Sequence, residues 1–363
     1  MYLYKTILRS VTALLFIIPF VSACKDDNDA DPDPEPEPVA DGILFQENFD
    51  DQPDYTSSET LSLNCWTHRR NGEDVWSPST GFSNHHDAFE ILSSNADKAR
   101  GGSGKSFVGW RESYKMEWNN WNSDGILAKY FEEGHEKLYV RFWIRFSDNF
   151  TPAGQTKLFR ISSWDEEGDF FGYGPDRYNA PILIWDYNHN DYGQRNFLAF
   201  RGHPQETNYF QTNPKLVDLP RNIHNGDINL NFDNNIRDLD GDGNNDNEVT
   251  LKSLVTGEVL SGIVSHDDVY GNVWHKVEFF IQMNSAPGAM DGIIVQWLDD
   301  QLIFKNIKMP WMGNESEGGR KFNVVAIGGN DFFRSYPNDD KHEEWYAIDD
   351  IEMRSSLPEG KSL

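Results

Sequence analysis

Apolar and polar positions alternate strictly along YVRFWIRF, residues 139–146. A strand of period two sends Val140, Phe142, Ile144 and Phe146 to one face and Tyr139, Arg141, Trp143 and Arg145 to the other. Runs rich in aromatic and β-branched residues recur at 42–49, 106–113, 138–146, 156–164, 181–188, 196–203, 274–284, 292–305, 322–329 and 345–353, with Gly, Pro, Asn and Asp between them. No long segment has helical periodicity, and no fixed repeat points to a propeller or solenoid. This many strands without βα alternation predict an all-β fold, two antiparallel sheets packed as a jelly-roll sandwich. The Asn- and Asp-rich stretch 204–250 is too long for a hairpin connection and reads as an elaborated loop over one sheet.

The first 23 residues do not fit that pattern. A basic-flanked apolar run, too short for a comfortable membrane span, ends in small residues before Cys24 and reads as a secretory signal. Val21, Ser22, Ala23 and Cys24 resemble a bacterial lipobox, which makes Cys24 the lipidated first residue of the mature chain. Residues 24–41, dominated by acids and prolines, cannot bury apolar area and read as an extended tether. The acids after Cys24 resemble the surface-export signal of lipoproteins in glycan-degrading Gram-negative bacteria, implying an outer-membrane, outward-facing location. With Cys24 modified, Cys65 is the remaining thiol and no intramolecular disulfide is expected. Residues 42–363 then form the folded domain. A net charge of −27 without a basic stripe argues against a nucleic-acid partner.

On the polar face of 139–146, Trp143 can stack on a sugar ring while Arg141 and Arg145 pair with carboxylate or sulfate. The competing reading is a solvated or covered face with the arginines in structural ion pairs. In DLDGDGNNDNE, Asp238, Asp240 and Asp242 alternate, Gly243 permits a sharp turn and Asp246 follows. That is the first half of an EF-hand-like calcium loop. Position twelve is Val249 rather than the bidentate glutamate, with Glu248 one residue early, so a structural Ca2+ in an extracellular module fits better than a sensor.

LYVRFWIRFSDNF with GQTKLFRI, WHKVEFFIQMNSAPGAMDGIIVQWLDDQLIF, and the closing GGNDFF and WYAIDDIEM resemble the jelly-roll, concanavalin A-like polysaccharide lyases, among them alginate and glucuronan lyases. The resemblance covers about residues 42–355 and implies β-elimination on an acidic, uronate-containing polysaccharide. It places the family's GGKL lysine on Lys157, with Gln-Thr replacing the second glycine. It also implies calcium where first and last strands pair, at Glu47 with Asp349 or Asp350. The family's Ser-x-Arg pair and close tyrosines are replaced here by APILIW and NFLAF. Such a lyase needs a carboxylate neutraliser, a base for the C5 proton and an acid for the leaving oxygen. Arg141, Arg145, Lys157 and Gln282 are candidates for the first role, and Tyr187, His189, Tyr192 and His203, on two facing strand ends, for the others. The apolar replacements support a rival, a non-catalytic surface glycan-binding lipoprotein. Hydrolysis ranks lower, since no Glu-x-Asp-x-x-Glu pattern occurs and WDEEGD, 164–169, reads as a turn.

Overall fold

The computed structural model describes residues 42–57, 62–71, 86–111, 121–148, 150, 154–172, 179–190, 193–203, 244, 248–249, 265–313, 316–333 and 344–363. Fifteen strands run through them: β1 Ile43–Glu47, β2 His68–Asn71, β3 Phe89–Glu90, β4 Phe107–Trp110, β5 Trp121–His135, β6 Lys137–Phe146, β7 Gly154–Ser162, β8 Ile182–Asn190, β9 Gly193–Arg201, β10 Glu248–Val249, β11 His275–Gln282, β12 Gly292–Leu298, β13 Gln301–Met309, β14 Phe322–Phe333 and β15 Trp345–Arg354. One sheet has nine strands in the order β10-β13-β12-β11-β6-β15-β4-β3, with β1 on β15, and the other has six in the order β2-β5-β14-β7-β8-β9. Every pairing between these strands is antiparallel, giving the expected two-sheet sandwich.

The core lies where alternating side chains of the two sheets meet. Val140, Phe142, Ile144 and Phe146 of β6 are fully buried, as their spacing predicts. Phe159 of β7 stacks on Phe279 of β11 with ring centroids 4.9 Å apart, and Phe142 lies 5.1 Å from Phe159, so aromatic pairs bridge the sheets. The run 292–305 divides into β12 and β13, because Asp299 and Asp300 both adopt positive φ, 46° and 65°. That is the backbone of a type I′ hairpin turn, whose twist matches the strands it joins.

Four strands carry no clear signal in the sequence. The long β5, WNSDGILAKYFEEGH, is poor in β-branched residues, and Lys129 interrupts its apolar face while donating from Nζ to the Cys65 carbonyl at 2.9 Å. The short β2, β3 and β10 are held by neighbouring strands rather than by propensity. Cys65 is disulfide-bonded, which overturns the expectation of a lone thiol. The sequence's other cysteine, Cys24, lies outside the described residues.

Candidate functional site

On β7, Thr156 and Phe159 pair with Asp331 and Ile327 of β14, so three residues, 328–330, stand opposite two, 157–158. The resulting bulge lets β14 pass close to Lys157: a Cβ at Gly329 would lie 2.5 Å from the Lys157 Cβ and 2.8 Å from its carbonyl oxygen. Asn330 is thereby aimed at the lysine, and Lys157 Nζ donates to Asn330 Oδ1 at 2.5 Å. Lys157 is the register partner of Asp186 on β8, whose Oδ2 accepts from Gln155 Nε2 at 2.5 Å. The side chains of Leu183, Trp185 and Tyr187 on β8 enter the core between the sheets. The residues that alternate with them, including Asp186, therefore belong to the opposite, outward face of the six-stranded sheet. A cation, two amides and a carboxylate are gathered there, with Lys157 only 6 % exposed. Such a set can neutralise and orient an anionic group while water is largely excluded. The sequence singled out Lys157 alone. The GGN bulge was the signal for Asn330, since paired glycines inside a strand mark a close backbone approach.

The predicted binding residues do not join this set. Arg141, Trp143, Arg145 and Gln282 belong to the nine-stranded sheet, where β6 and β11 are neighbours. The sandwich core separates them from Lys157, which corrects the expectation of one shared cleft. Arg141 Nη2 donates to Glu352 Oε2 at 3.4 Å, and Arg145 donates to Asn272 Oδ1 at 2.6 Å and to the Asp97 carbonyl at 3.2 Å. The Arg100 guanidinium covers the Trp143 ring at 3.9 Å. Tyr139, on the same face, is buried with Phe280, Val295 and Trp297 in a second apolar cluster against which Leu357 packs. The structural ion-pair reading of this face therefore fits best: its cations are matched within the chain, and part of it lies under the C-terminal segment.

The four acid–base candidates also separate. Tyr187 is 2 % exposed inside the sandwich, so it cannot reach a substrate on either outer face. Its hydroxyl donates to His266 Nδ1 at 3.1 Å, because His266 Nε2 is committed to the Gly271 carbonyl at 3.1 Å. Burial raises the Tyr187 hydroxyl well above its usual range and pushes the His266 imidazole down to about 4. His203 follows β9, whereas His189 lies near the β8–β9 hairpin at that strand's other end. A rise of about 3.3 Å per residue over the ten residues from 193 to 203 makes these ends distant, so no single rim contains them. His203 shares Nδ1 with Ser316 Oγ at 3.0 Å, and its Nε2 accepts from Arg320 Nη2 at 3.2 Å. His189 is in register with Gly154 of β7; Tyr192 lies outside the described residues.

The predicted calcium ligands are of two kinds. Asp238, Asp240, Asp242 and Asp246 lie outside the described residues. Glu47 Oε1 accepts from the Phe49 amide at 2.6 Å, and Oε2 from Trp66 Nε1 at 3.0 Å and from Gln52 Nε2. Asp349 Oδ2 accepts from the Arg100 amide and Oδ1 from the Asp350 amide, both at 2.8 Å. Their oxygens thus already serve N–H donors, Glu47 at the end of β1 and Asp349 within β15, and among the described residues no three His, Cys, Asp or Glu side chains group as metal ligands. Desolvation, with Asp350 and Asp50 nearby, pushes the Asp349 carboxyl up to about 8.

No protein-family model matches the sequence, and no curated protein matches it. Among solved structures, the chain is similar to a variant of alginate lyase Aly36B in complex with alginate trisaccharide, at 11 % identity and a TM-score of 0.46, covering 87 % of this chain and 99 % of that one. It is similar to the marine PL-14 alginate lyase from Aplysia kurodai at 11 % identity and a TM-score of 0.41, covering 73 % and 86 %. It is similar also to alginate lyase vAL-1 from Chlorella virus at 12 % identity and a TM-score of 0.34, covering 86 % and 91 %. Scores this low assign no role to any residue of this chain.

Proposed function

We propose that the protein is a polysaccharide lyase acting by β-elimination on a uronate-containing polymer. The observation that carries this reading is the set on the outward face of the six-stranded sheet, where Lys157 is held by Asn330 beside Gln155 and Asp186. Lys157 binds the uronate carboxylate, with Asn330 fixing the ammonium. Neutralising that carboxylate makes the C5 proton more acidic. A base takes this proton, its electrons form the C4–C5 double bond, the C4–O bond breaks, and an acid protonates the leaving oxygen. Tyr192 is the candidate left for the acid–base role, since His189 stands two residues from Tyr187 along β8 and does not share the parity of Asp186. Calcium in the 238–246 loop is structural. The outer-membrane location through a lipid on Cys24 belongs to the same proposal; it requires a mature chain without the Cys65 disulfide, since the sequence holds no third cysteine and a thioether sulfur has no thiol to oxidise.

A second reading, a glycan-binding protein without turnover, is favoured by Ile182, Ile184 and Ala199, buried together in an apolar cluster on β8 and β9. Apolar side chains there supply neither acid nor base. Following the ultraviolet absorbance of unsaturated uronate with alginate, glucuronan, ulvan and glycosaminoglycans separates the two. The lyase produces a rise on one polymer, whereas the binding protein is retarded by one in an affinity gel with no rise.

A further inference from the structure

Where β5, β7 and β14 end together, an open cleft of about 460 Å³ is lined by Glu132, Glu133, Trp164, Arg320, Lys321 and Asn323. Trp164 is seven residues beyond Lys157, about 23 Å at the rise of extended chain. The cleft is therefore separate from the Lys157 set.

Its aromatic wall is rigidly held. The Trp164 amide donates to Asn323 Oδ1 and its carbonyl accepts from Asn323 Nδ2, both at 2.7 Å, and its Nε1 donates to the Glu167 carbonyl at 2.8 Å. Tyr130 and Phe170 meet its ring edge-on, at 5.5 Å and 4.9 Å between centroids. With every polar atom of Trp164 engaged inside the chain, the indole offers a ligand only ring surface, complementary to the C–H face of a pyranose. Asp165 neutralises Arg320 across 2.7 Å, which leaves the exposed Glu132 and Glu133 against Lys321 alone. This balance opposes an anionic sugar and suits hydroxyl groups, which donate to carboxylates and accept from the ammonium.

We infer that this cleft binds an uncharged pyranose unit of a glycan, stacked on Trp164 with its hydroxyls on Glu132, Glu133 and Lys321. The inference takes from the proposed function only that the ligand is a polysaccharide. It narrows the substrate to polymers carrying neutral sugars beside uronates.

The test is calorimetric titration of the full chain with cello-, xylo-, manno- and galacto-hexaose and with a hexauronate from alginate. At least one uncharged hexaose is expected to bind, and Trp164→Ala to weaken it by about tenfold or more. Glu133→Ala, at an exposed position that does not disturb folding, is expected to weaken it measurably with an unchanged unfolding midpoint. Lys157→Ala is expected to leave this affinity unchanged. Failure of every uncharged hexaose to bind, wild-type affinity retained in both cleft variants, or a Trp164-dependent preference for the hexauronate would overturn the inference. Elimination on uronate polymers is read separately by absorbance, so its presence or absence bears on the Lys157 assignment alone.

Discussion

The Tyr187 hydroxyl donates to His266 Nδ1 across 3.1 Å inside the sandwich, where Phe146, Phe150 and Tyr270 surround the pair. Tyr187, a candidate acid or base on the sequence, is thus part of the packing together with its histidine partner. Burial holds the imidazole neutral, with its folded pKa at about 4, below the ordinary value of 6.5. The unfolded chain then binds one proton more than the folded chain between these values. Stability from this group is full above about pH 6.5 and is lost as pH falls towards 4, by about 3 kcal/mol in all. Denaturant unfolding between pH 4 and 7 should show a steeper decline for the wild type than for His266→Asn; equal slopes would contradict the assignment.

Arg111 lies under the same end of the sandwich, Nε 3.2 Å from Asp331 Oδ1 and Nη1 2.7 Å from Glu344 Oε2, with all three residues buried. Removing the cation strands two carboxylates in a low-dielectric interior. Arg111→Met should cost about 3–5 kcal/mol. Guanidinium-chloride unfolding measures it, and a loss below 1 kcal/mol would show that the carboxylates find other partners.

Gly329 has no room for a methyl group against Lys157. Gly329→Ala should cost about 1–3 kcal/mol through overpacking and reduce turnover by displacing the lysine from Asn330. Unfolding midpoints and rates on the same polymer test both effects. An unchanged rate in a destabilised variant would uncouple the bulge from the site.

Calcium in the 238–246 loop should raise stability by mass action, about 1.4 kcal/mol at ten times its dissociation constant. Melting temperature in calcium and in chelator should differ for the wild type and coincide for Asp240→Ala. If the shift persists in that variant, the ion is held elsewhere.

The fold was legible because period-two alternation survives wherever a strand has one face in the core, as along β6 and β11. It failed on β5, where Lys129 takes an inward position and Ile126 and Ala128 of the other face are also buried. The site was legible only at Lys157. The alternation of YVRFWIRF separated core from outer face correctly but could not tell which sheet would carry the strand, and so put Arg141 and Trp143 in a cleft they do not line. Tyr187 misled for a related reason: a tyrosine pointing inward with a buried histidine partner has the same sequence signature as one at a rim. Trp164 carries no binding signal in WDEEGD, where the chain bends with Glu166 and Gly168 at φ 66° and 68°. The wall formed by its first residue depends on Asn323, more than 150 residues away.

The most direct test of the account is the time course of unsaturated-uronate absorbance for wild type and Lys157→Ala on the same uronate polymers. A rise with the wild type that falls by about a hundredfold or more in the variant is predicted, the usual consequence of removing a group that stabilises developing charge. No rise on any uronate polymer, or equal rates in the two proteins, would contradict it.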